Sequence, residues 1–279
     1  MAKSTARAAK DRAGTVRVGV GGWTYEPWRG SFYPDSLVQR LELEYASRRL
    51  TTIEVNGTFY RAQKPATYAK WRGETPDGFV FSLKAPRYAT DRRVLADAGP
   101  AVAAFVHGGL AELGDRLGPI NWQLPEHKVF DADDLARFLD LLPADLDGEP
   151  LRHAIEVRHD SFACEAFVDL MRRRGAAIVH AHSPKYPSIA DLTADFVYAR
   201  LMRSEAGRTA GYAPAALDAW AACARAWARG GDPADLAHVT AAAAPQRARD
   251  VFVYFIGAAK VRNPAAAIAL IERLREARN

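Results

Sequence analysis

HAIEVRH, the stretch from His153 to His159, joins a short apolar run to charged residues at its C-terminal end. TTIEVN (Thr51–Asn56) and FVFSLKAP (Phe79–Pro86) repeat that pattern. We predict five further strands of this kind, at Val16–Trp23, Pro119–Pro125, Ala176–Ser183, Asp195–Met202 and Asp250–Gly257. Parallel barrel strands end at one common mouth, so the pattern predicts a closed α/β barrel with its reactive groups gathered there.

Helical stretches separate these strands. We predict helices at Asp35–Leu50, Pro65–Arg72, Asp91–Leu113, Asp133–Leu142, Ala163–Arg174, Pro214–Arg229, Pro233–Ala244 and Pro264–Arg278. Gly175 and Gly230 follow predicted helix ends, where a left-handed residue is favoured. The alternation predicts a single (β/α)8 TIM-type barrel domain over residues 15–279, with Pro233–Ala244 as an extra helix before strand eight.

The charge is concentrated at the N-terminus. The chain has 279 residues and a formal net charge of +5. Lys3, Arg7, Lys10 and Arg12 against Asp11 give the first fourteen residues a net charge of +3. We predict a disordered basic tail over residues 1–14 and a folded body with little excess charge. A nucleic-acid binder usually carries a basic stripe on its domain, so nucleic acid is a weakly supported partner.

Nothing in the sequence indicates a membrane or an oxidising compartment. The N-terminus lacks the apolar region of a secretory signal, and no apolar run reaches the roughly 18 residues of a membrane span. Cys164 and Cys223, the two cysteines, form no CxxC motif. These features predict a cytoplasmic protein with reduced thiols. The oligomeric state is left open.

Several predicted strands carry polar residues two positions apart, which share one face of a strand. The pairs are Glu54 with Asn56, Ser82 with Lys84, Asn121 with Gln123, Glu156 with Arg158, and His180 with His182; Arg200 and Tyr254 extend the set. If these faces point inward, carboxylates, cations and amides meet at the mouth. The charges can also neutralise one another as an internal ion network. Such a network rarely improves on apolar packing, so its presence favours a functional pocket.

Five ordered stretches resemble the YecE-like family, also called domain-of-unknown-function family 72. They are GVGGWTYEPWRGSFYP (Gly19–Pro34), IEVNGTFYR (Ile53–Arg61), FVFSLKAPR (Phe79–Arg87), LGPINWQLP (Leu117–Pro125) and IEVRHDSF (Ile155–Phe162). The match keeps this order and covers nearly the whole chain after the tail. The resemblance implies a TIM barrel, in agreement with the strand count, and it implies no particular reaction.

The resemblance also implies which polar positions recur. They are Trp23, Glu54, Asn56, Tyr60, Lys84, Gln123, Glu156, Arg158, His159 and Arg200. The chain departs from the family pattern in three places. His182 stands where Asp is common, Leu201–Ser204 replaces a short turn with Gly, and Ile256-Gly257 replaces an Asn pair. A diverged specificity and a loss of activity both explain these departures.

Our leading hypothesis is an enzyme that acts by acid/base catalysis on a small anionic substrate, phosphate- or carboxylate-bearing and compatible with a sugar. Glu54 and Glu156 are the acid/base candidates. Lys84 joins them as a catalytic residue, by charge stabilisation or as a Schiff base. The predicted substrate-binding residues are Trp23, Asn56, Tyr60, Gln123, Arg158, His159, His182 and Arg200.

Two alternatives stay open. One is a non-catalytic protein that binds a ligand or a nucleic-acid end at the same mouth. The other is a metal-dependent phosphoesterase or nuclease, because His159, His180 and His182 are ligand types suited to Zn²⁺ or Mn²⁺. No HExxH spacing occurs, however, and Lys84 and Arg158 would repel a divalent ion. We therefore predict no metal and no cofactor.

Overall fold

Eight parallel strands close into a barrel in the computed structural model, which describes residues 13–242 and 244–276. The strands are β1 (Val16–Gly21), β2 (Thr52–Val55), β3 (Val80–Lys84), β4 (Leu117–Gln123), β5 (His153–Glu156), β6 (Ala177–His182), β7 (Phe196–Leu201) and β8 (Asp250–Phe255). Each strand pairs with its neighbours in the chain, and β8 returns to β1. The predicted TIM-type barrel is confirmed.

Helices surround the barrel. They are α1 (Glu42–Ser47), α2 (Gly57–Tyr60), α3 (Pro65–Glu74), α4 (Arg87–Thr90), α5 (Gly99–Val106), α6 (Ala132–Asp140), α7 (Glu165–Arg174), α8 (Pro214–Ala228) and α9 (Asn263–Glu276). The long helix predicted over Asp91–Leu113 is wrong, because the segment divides into a 3-10 turn, α5 and a second 3-10 turn. Gly109, at φ +116°, ends this helical run in a conformation that favours glycine.

The extra helix predicted before strand eight does not form. Residues 233–242 and 244 adopt turns and irregular backbone in the structure. Asp191 explains why: its carboxylate accepts hydrogen bonds from the amides of Val239 and Thr240 and from the Thr240 hydroxyl. The His238 ring is bonded to Asp232 and to the Leu236 carbonyl. These side-chain bonds take up backbone groups that a helix would need.

The barrel interior is filled with side chains. Its apolar part is formed by Val80, Ala154, Ala177, Val179, Phe196, Tyr198, Phe252 and Tyr254. A larger apolar cluster lies between the strands and the helices. Trp122 faces the helices as predicted, with its ring edge-on to those of Phe105 and Phe138. The interior is therefore a packed core, and the buried Glu54, Glu156 and Arg200 lie towards the mouth.

His180 and His182 do share one face of β6, but that face points away from the barrel axis. The ring centroid of His182 lies 5.0 Å from that of Trp220, and His180 lies 6.0 Å from Trp227. The inward positions of β6 belong to Ala177 and Val179. The inward placement expected for the two histidines is wrong, because the period of two fixes which residues share a face and not which face is buried in the barrel.

Two further expectations concern the ends of the chain and the membrane. Residues 1–12 of the expected tail lie outside the described residues. Gly14, at the end of the expected tail, is bonded to the folded body, because its amide donates to the Ala228 carbonyl at 2.8 Å. Within the described ranges, none of the helices has both the length and the apolar character needed to cross a bilayer.

Candidate functional site

Arg200 lies at the centre of the polar cluster in the barrel. Its Nη1 is 2.7 Å from both carboxylate oxygens of Glu156, and its Nη2 is 2.9 Å from Oε1 of Glu54. The three residues come from β7, β5 and β2, and each occupies an inward position near the C-terminal end of its strand. Both carboxylates are fully buried, and Arg200 is 2% exposed. A single guanidinium thus binds two buried carboxylates across the barrel.

Neutral donors also form hydrogen bonds to the two carboxylates. The Tyr198 hydroxyl donates to Oε2 of Glu54 at 2.6 Å. The side-chain amides of Gln123 and Asn121 donate to Glu156 at 2.8 and 3.0 Å. Buried carboxylates are tolerated when charged partners and hydrogen bonds satisfy them, as they do here, while Nε of Arg200 has no hydrogen-bond partner among the described residues.

Arg158 approaches the same carboxylate from the mouth. Its Nε and Nη2 lie 3.1 and 3.0 Å from Oε1 of Glu156. The guanidinium also lies 4.4 Å from the ring centroid of Tyr186, whose hydroxyl donates to Glu126 at 2.9 Å. Arg158 therefore joins the buried network to the loop that follows β6.

The electrostatic balance keeps Glu156 ionised. Burial alone would raise the pKa of Glu156, but the charges of Arg200, Arg158 and Lys84 outweigh burial, and the pKa falls to about 2. The pKa of Arg200 rises because the two carboxylates outweigh its own burial. Burial and the charge of Glu54 raise the pKa of Tyr198, so this residue stays a neutral donor. Glu156 and Arg200 therefore stay charged, and Tyr198 stays neutral, around neutral pH.

Lys84 behaves differently from the rest of the cluster. It is 7% exposed, and its Nζ lies 3.8 Å from the ring centroid of Phe59. Within the described residues, Nζ has neither a hydrogen-bond acceptor nor a carboxylate within 4.0 Å. Its pKa falls to about 8 because burial disfavours the ammonium and Arg200 repels it, effects that Glu156 and Glu54 only partly offset. Lys84 is thus an amine that can change its protonation near neutral pH.

A cavity of about 620 Å³ lies beside the network, between the loops that follow β1, β2 and β8. Its lining consists of Gly21, Gly22, Trp23, Thr24, Val55, Asn56, Gly57, Tyr60, Arg61, Gln63, Trp71 and Lys260. A Cβ at Gly21 would lie 2.7 Å from both Nδ2 of Asn56 and Cδ1 of Ile256, so a larger residue would displace these side-chain ends. The glycine allows the amide of Asn56 to lie across the end of β1.

The structure divides the predicted site residues into three groups. Glu54, Gln123, Glu156, Arg158 and Arg200 form the ion network, with Lys84 beside it. Trp23, Asn56 and Tyr60 line the cavity. His159 and His182 belong to neither group: Nδ1 of His159 lies 2.9 Å from the Ser161 hydroxyl, and His182 packs on Trp220.

Two important residues, Tyr198 and Lys260, were not singled out from the sequence. Tyr198 precedes Arg200 by two positions, so the alternation along β7 was a signal that places it on the same face. Phe59 lies against Lys84 but comes from the loop after a different strand, and Lys260 comes from the loop after β8. No local pattern places Phe59 against Lys84 or marks Lys260.

Potential metal ligands are dispersed. Among residues 13–242 and 244–276, no three His, Cys, Asp or Glu side chains come together as metal ligands do. Both carboxylates of the network are already bound to Arg200.

Comparison with known proteins agrees with this architecture. A DUF72 family protein from Thermotoga maritima has a TM-score of 0.72 at 19% identity, over 94% of this chain and 99% of the other. Two crystal structures of a DUF72 family protein from Enterococcus faecalis have TM-scores of 0.65 and 0.64 at 15% and 16% identity, again over 94% of this chain and over 96% and 98% of the others. At these identities the likeness establishes the fold.

No curated protein matches the chain significantly. The family described as "Protein of unknown function DUF72" matches residues 17–279, which is nearly the whole sequence. The resemblance inferred from the five sequence stretches is confirmed, and the chain belongs to the DUF72 family.

Proposed function

We propose that the barrel is an enzyme that binds a small anionic substrate at its mouth and transfers a proton through the amine of Lys84. The observation that carries this proposal is the burial of that amine together with its lowered pKa. Lys84 is almost buried, lacks a direct ionic partner within the described residues, and has a pKa of about 8. A group of this kind exchanges a proton at neutral pH, which is what general acid–base catalysis requires.

The charge balance of the network supports Lys84 over the two carboxylates as the proton-transfer group. Glu54 and Glu156 are matched by Arg200 and Arg158, so Lys84 is the surplus charge. Glu156 accepts hydrogen bonds from charged and neutral donors and keeps a pKa of about 2. This pKa is too low for efficient proton transfer at neutral pH. In this proposal the two glutamates hold Arg200 in place and reduce the repulsion on Lys84.

A buried acceptor beside Lys84 supports a ligand at the same place. Lys84 and Asn121 are direct partners in the register of β3 and β4. Oδ1 of Asn121 is buried and has no hydrogen-bond partner within the described residues. Buried polar atoms usually have a partner, so this oxygen supplies an acceptor for a donor group of the substrate.

The test begins with a thermal-shift screen of phosphorylated sugars, nucleotides and carboxylates, because a ligand of the folded state raises its stability by mass action. Each stabilising compound is then incubated with the protein and followed by NMR for conversion. The variants are Lys84→Met, Lys84→Arg and the control Lys70→Met, which removes an exposed positive charge that lies 3.7 Å from Glu74.

We expect wild type and Lys70→Met to convert a stabilising compound. Both Lys84 variants should bind it and lose turnover by two to four orders of magnitude, a typical contribution of a general acid or base. The wild-type rate should change with pH around an apparent pKa near 8. Conversion by Lys84→Met at the wild-type rate would contradict the proposal. Binding without any conversion would support the non-catalytic alternative instead.

A further inference from the structure

The cavity beside the network has an unusual charge composition. Two of its lining residues, Arg61 and Lys260, carry a positive charge, and none of them is Asp or Glu. Neither side chain has a carboxylate within 4.0 Å among residues 13–242 and 244–276. Arg158 and Arg200, by contrast, each contact a carboxylate. The cavity therefore carries uncompensated positive charge.

Lys260 is held in a fixed position. Its Nζ lies 4.1 Å from the ring centroid of Tyr25 and 5.8 Å from that of Trp28. Its backbone carbonyl accepts a hydrogen bond from Nε1 of Trp28 at 2.9 Å. Cation–π contacts orient an ammonium without neutralising its charge. The Lys260 side chain is thus preorganised and still able to bind an anion.

Aromatic rings form another part of the lining. Trp23 and Trp71 meet edge to face with centroids 5.1 Å apart, so each restricts the orientation of the other. Tyr60 is 76% exposed, and its ring presents free surface at the cavity. Aromatic surface beside a cation is suited to a ligand that has both a planar ring and an anionic group.

We propose that this cavity binds a small molecule that carries a planar aromatic ring and a phosphate or carboxylate, of the kind represented by a nucleoside monophosphate. Arg61 and Lys260 bind the anionic group, and Tyr60 stacks on the ring. The volume of about 620 Å³ lies in the range of roughly 300–1,000 Å³ of small-molecule sites. The inference rests on the proposed function in that it names the substrate class of the same mouth.

The experiment measures dissociation constants by calorimetry at low ionic strength for three probes. Adenosine 5′-monophosphate has both a ring and an anion, adenosine has only the ring, and ribose 5-phosphate has only the anion. The variants are Lys260→Met, Arg61→Gln, Tyr60→Leu and the control Lys70→Met. Arg61 and Tyr60 are exposed, so these two substitutions keep the fold even if Lys260→Met does not.

We expect the monophosphate to bind wild type at least tenfold more tightly than either partial probe. Lys260→Met and Arg61→Gln should each weaken binding of the monophosphate by about tenfold, as expected for the loss of a charged hydrogen bond, and leave the affinity for adenosine unchanged. Tyr60→Leu should weaken binding of both ring-bearing probes and leave the affinity for ribose 5-phosphate unchanged. Equal affinity of wild type and Arg61→Gln for the monophosphate, or equal affinity for all three probes, would overturn the inference.

Lys84→Met separates this inference from the proposed function, because Lys84 does not line the cavity. Normal binding of the monophosphate together with unimpaired turnover in Lys84→Met would refute only the proposed function. Loss of turnover in Lys84→Met with binding that is insensitive to Arg61→Gln and Lys260→Met would refute only the cavity assignment.

Discussion

Nη1 of Arg200 lies equally close, at 2.7 Å, to the two carboxylate oxygens of Glu156. The pair joins β7 to β5 through the inside of the barrel, although β6 separates these strands in the sheet. Because Nη2 also binds Glu54 on β2, the guanidinium connects three strands that do not pair with one another. The barrel interior near the mouth is therefore cross-linked by charge.

Removing Arg200 should destabilise the protein strongly. Arg200→Leu leaves two buried carboxylates without their shared partner, and breaking a buried ion pair costs about 3–5 kcal/mol. Arg273→Leu is the matched control, since Arg273 pairs with Asp218 on the surface at 2.6 Å, where such pairs contribute about 0–1 kcal/mol. Urea denaturation measures both values. A loss for Arg200→Leu no larger than that of the control would mean that the network does not stabilise the barrel.

Glu156 should make the protein sensitive to acid. Its folded pKa of about 2 lies below the ordinary value of 4.5, so in this interval the unfolded chain binds a proton that the folded chain does not. The stabilisation is complete above pH 4.5 and is lost as the pH falls towards 2. In Glu156→Gln, the free energy of unfolding should fall less steeply over that interval than in wild type, by up to about 1.4 kcal/mol per pH unit. Parallel curves of unfolding free energy against pH for wild type and Glu156→Gln would contradict the assignment of the low pKa to Glu156.

Lys84 should produce a rise in stability of the same sign at alkaline pH. Its folded pKa of about 8 lies below the ordinary 10.5, so between these values the unfolded chain again binds the extra proton and stability rises with pH. This rise should be present in wild type and in Lys70→Met and should be absent in Lys84→Met. Denaturation curves between pH 7.5 and about 10.5 measure it. A rise that persists in Lys84→Met must come from another group.

The Tyr198 hydroxyl should contribute measurably to stability. Tyr198→Phe removes the donor that lies 2.6 Å from Oε2 of Glu54 and leaves a buried carboxylate oxygen less satisfied, at a cost of about 1–3 kcal/mol. Tyr186→Phe is the control, because its hydroxyl binds Glu126 on the exposed surface. Chemical denaturation of both variants gives the comparison. Equal losses would show that burial does not strengthen the Tyr198 bond.

The barrel was predictable because its strands carry a local signal. Apolar runs that end in polar residues, such as Thr51–Asn56 and His153–His159, specify both a strand and its direction towards the mouth. The helix expected over Pro233–Ala244 failed for a non-local reason, since the carboxylate of Asp191, from a distant loop, binds the backbone at Val239 and Thr240. Such long-range hydrogen bonds leave no periodic pattern in the sequence.

The ion network was predictable in most of its members and less so in its geometry. Alternation correctly grouped Glu54, Glu156 and Arg200 as residues that face one another. It did not reveal that one guanidinium would bind both carboxylates, or that Arg158 would complete the charge balance and leave Lys84 as the surplus charge. The positions of Lys84 and Lys260 over aromatic rings depend on loops that follow other strands, so only the folded chain brings these groups together.

The cavity is lined by residues that lie far apart in the sequence. Most of its lining belongs to residues 21–71, whereas Lys260 lies close to the C-terminus, and only the pairing of β1 with β8 brings the two parts together. A molecule that contacts both parts binds the closed barrel and not a partly formed one. Occupancy of the cavity is therefore coupled thermodynamically to the pairing of β1 with β8, and a ligand bound there stabilises the closed sheet relative to one in which these two strands have separated.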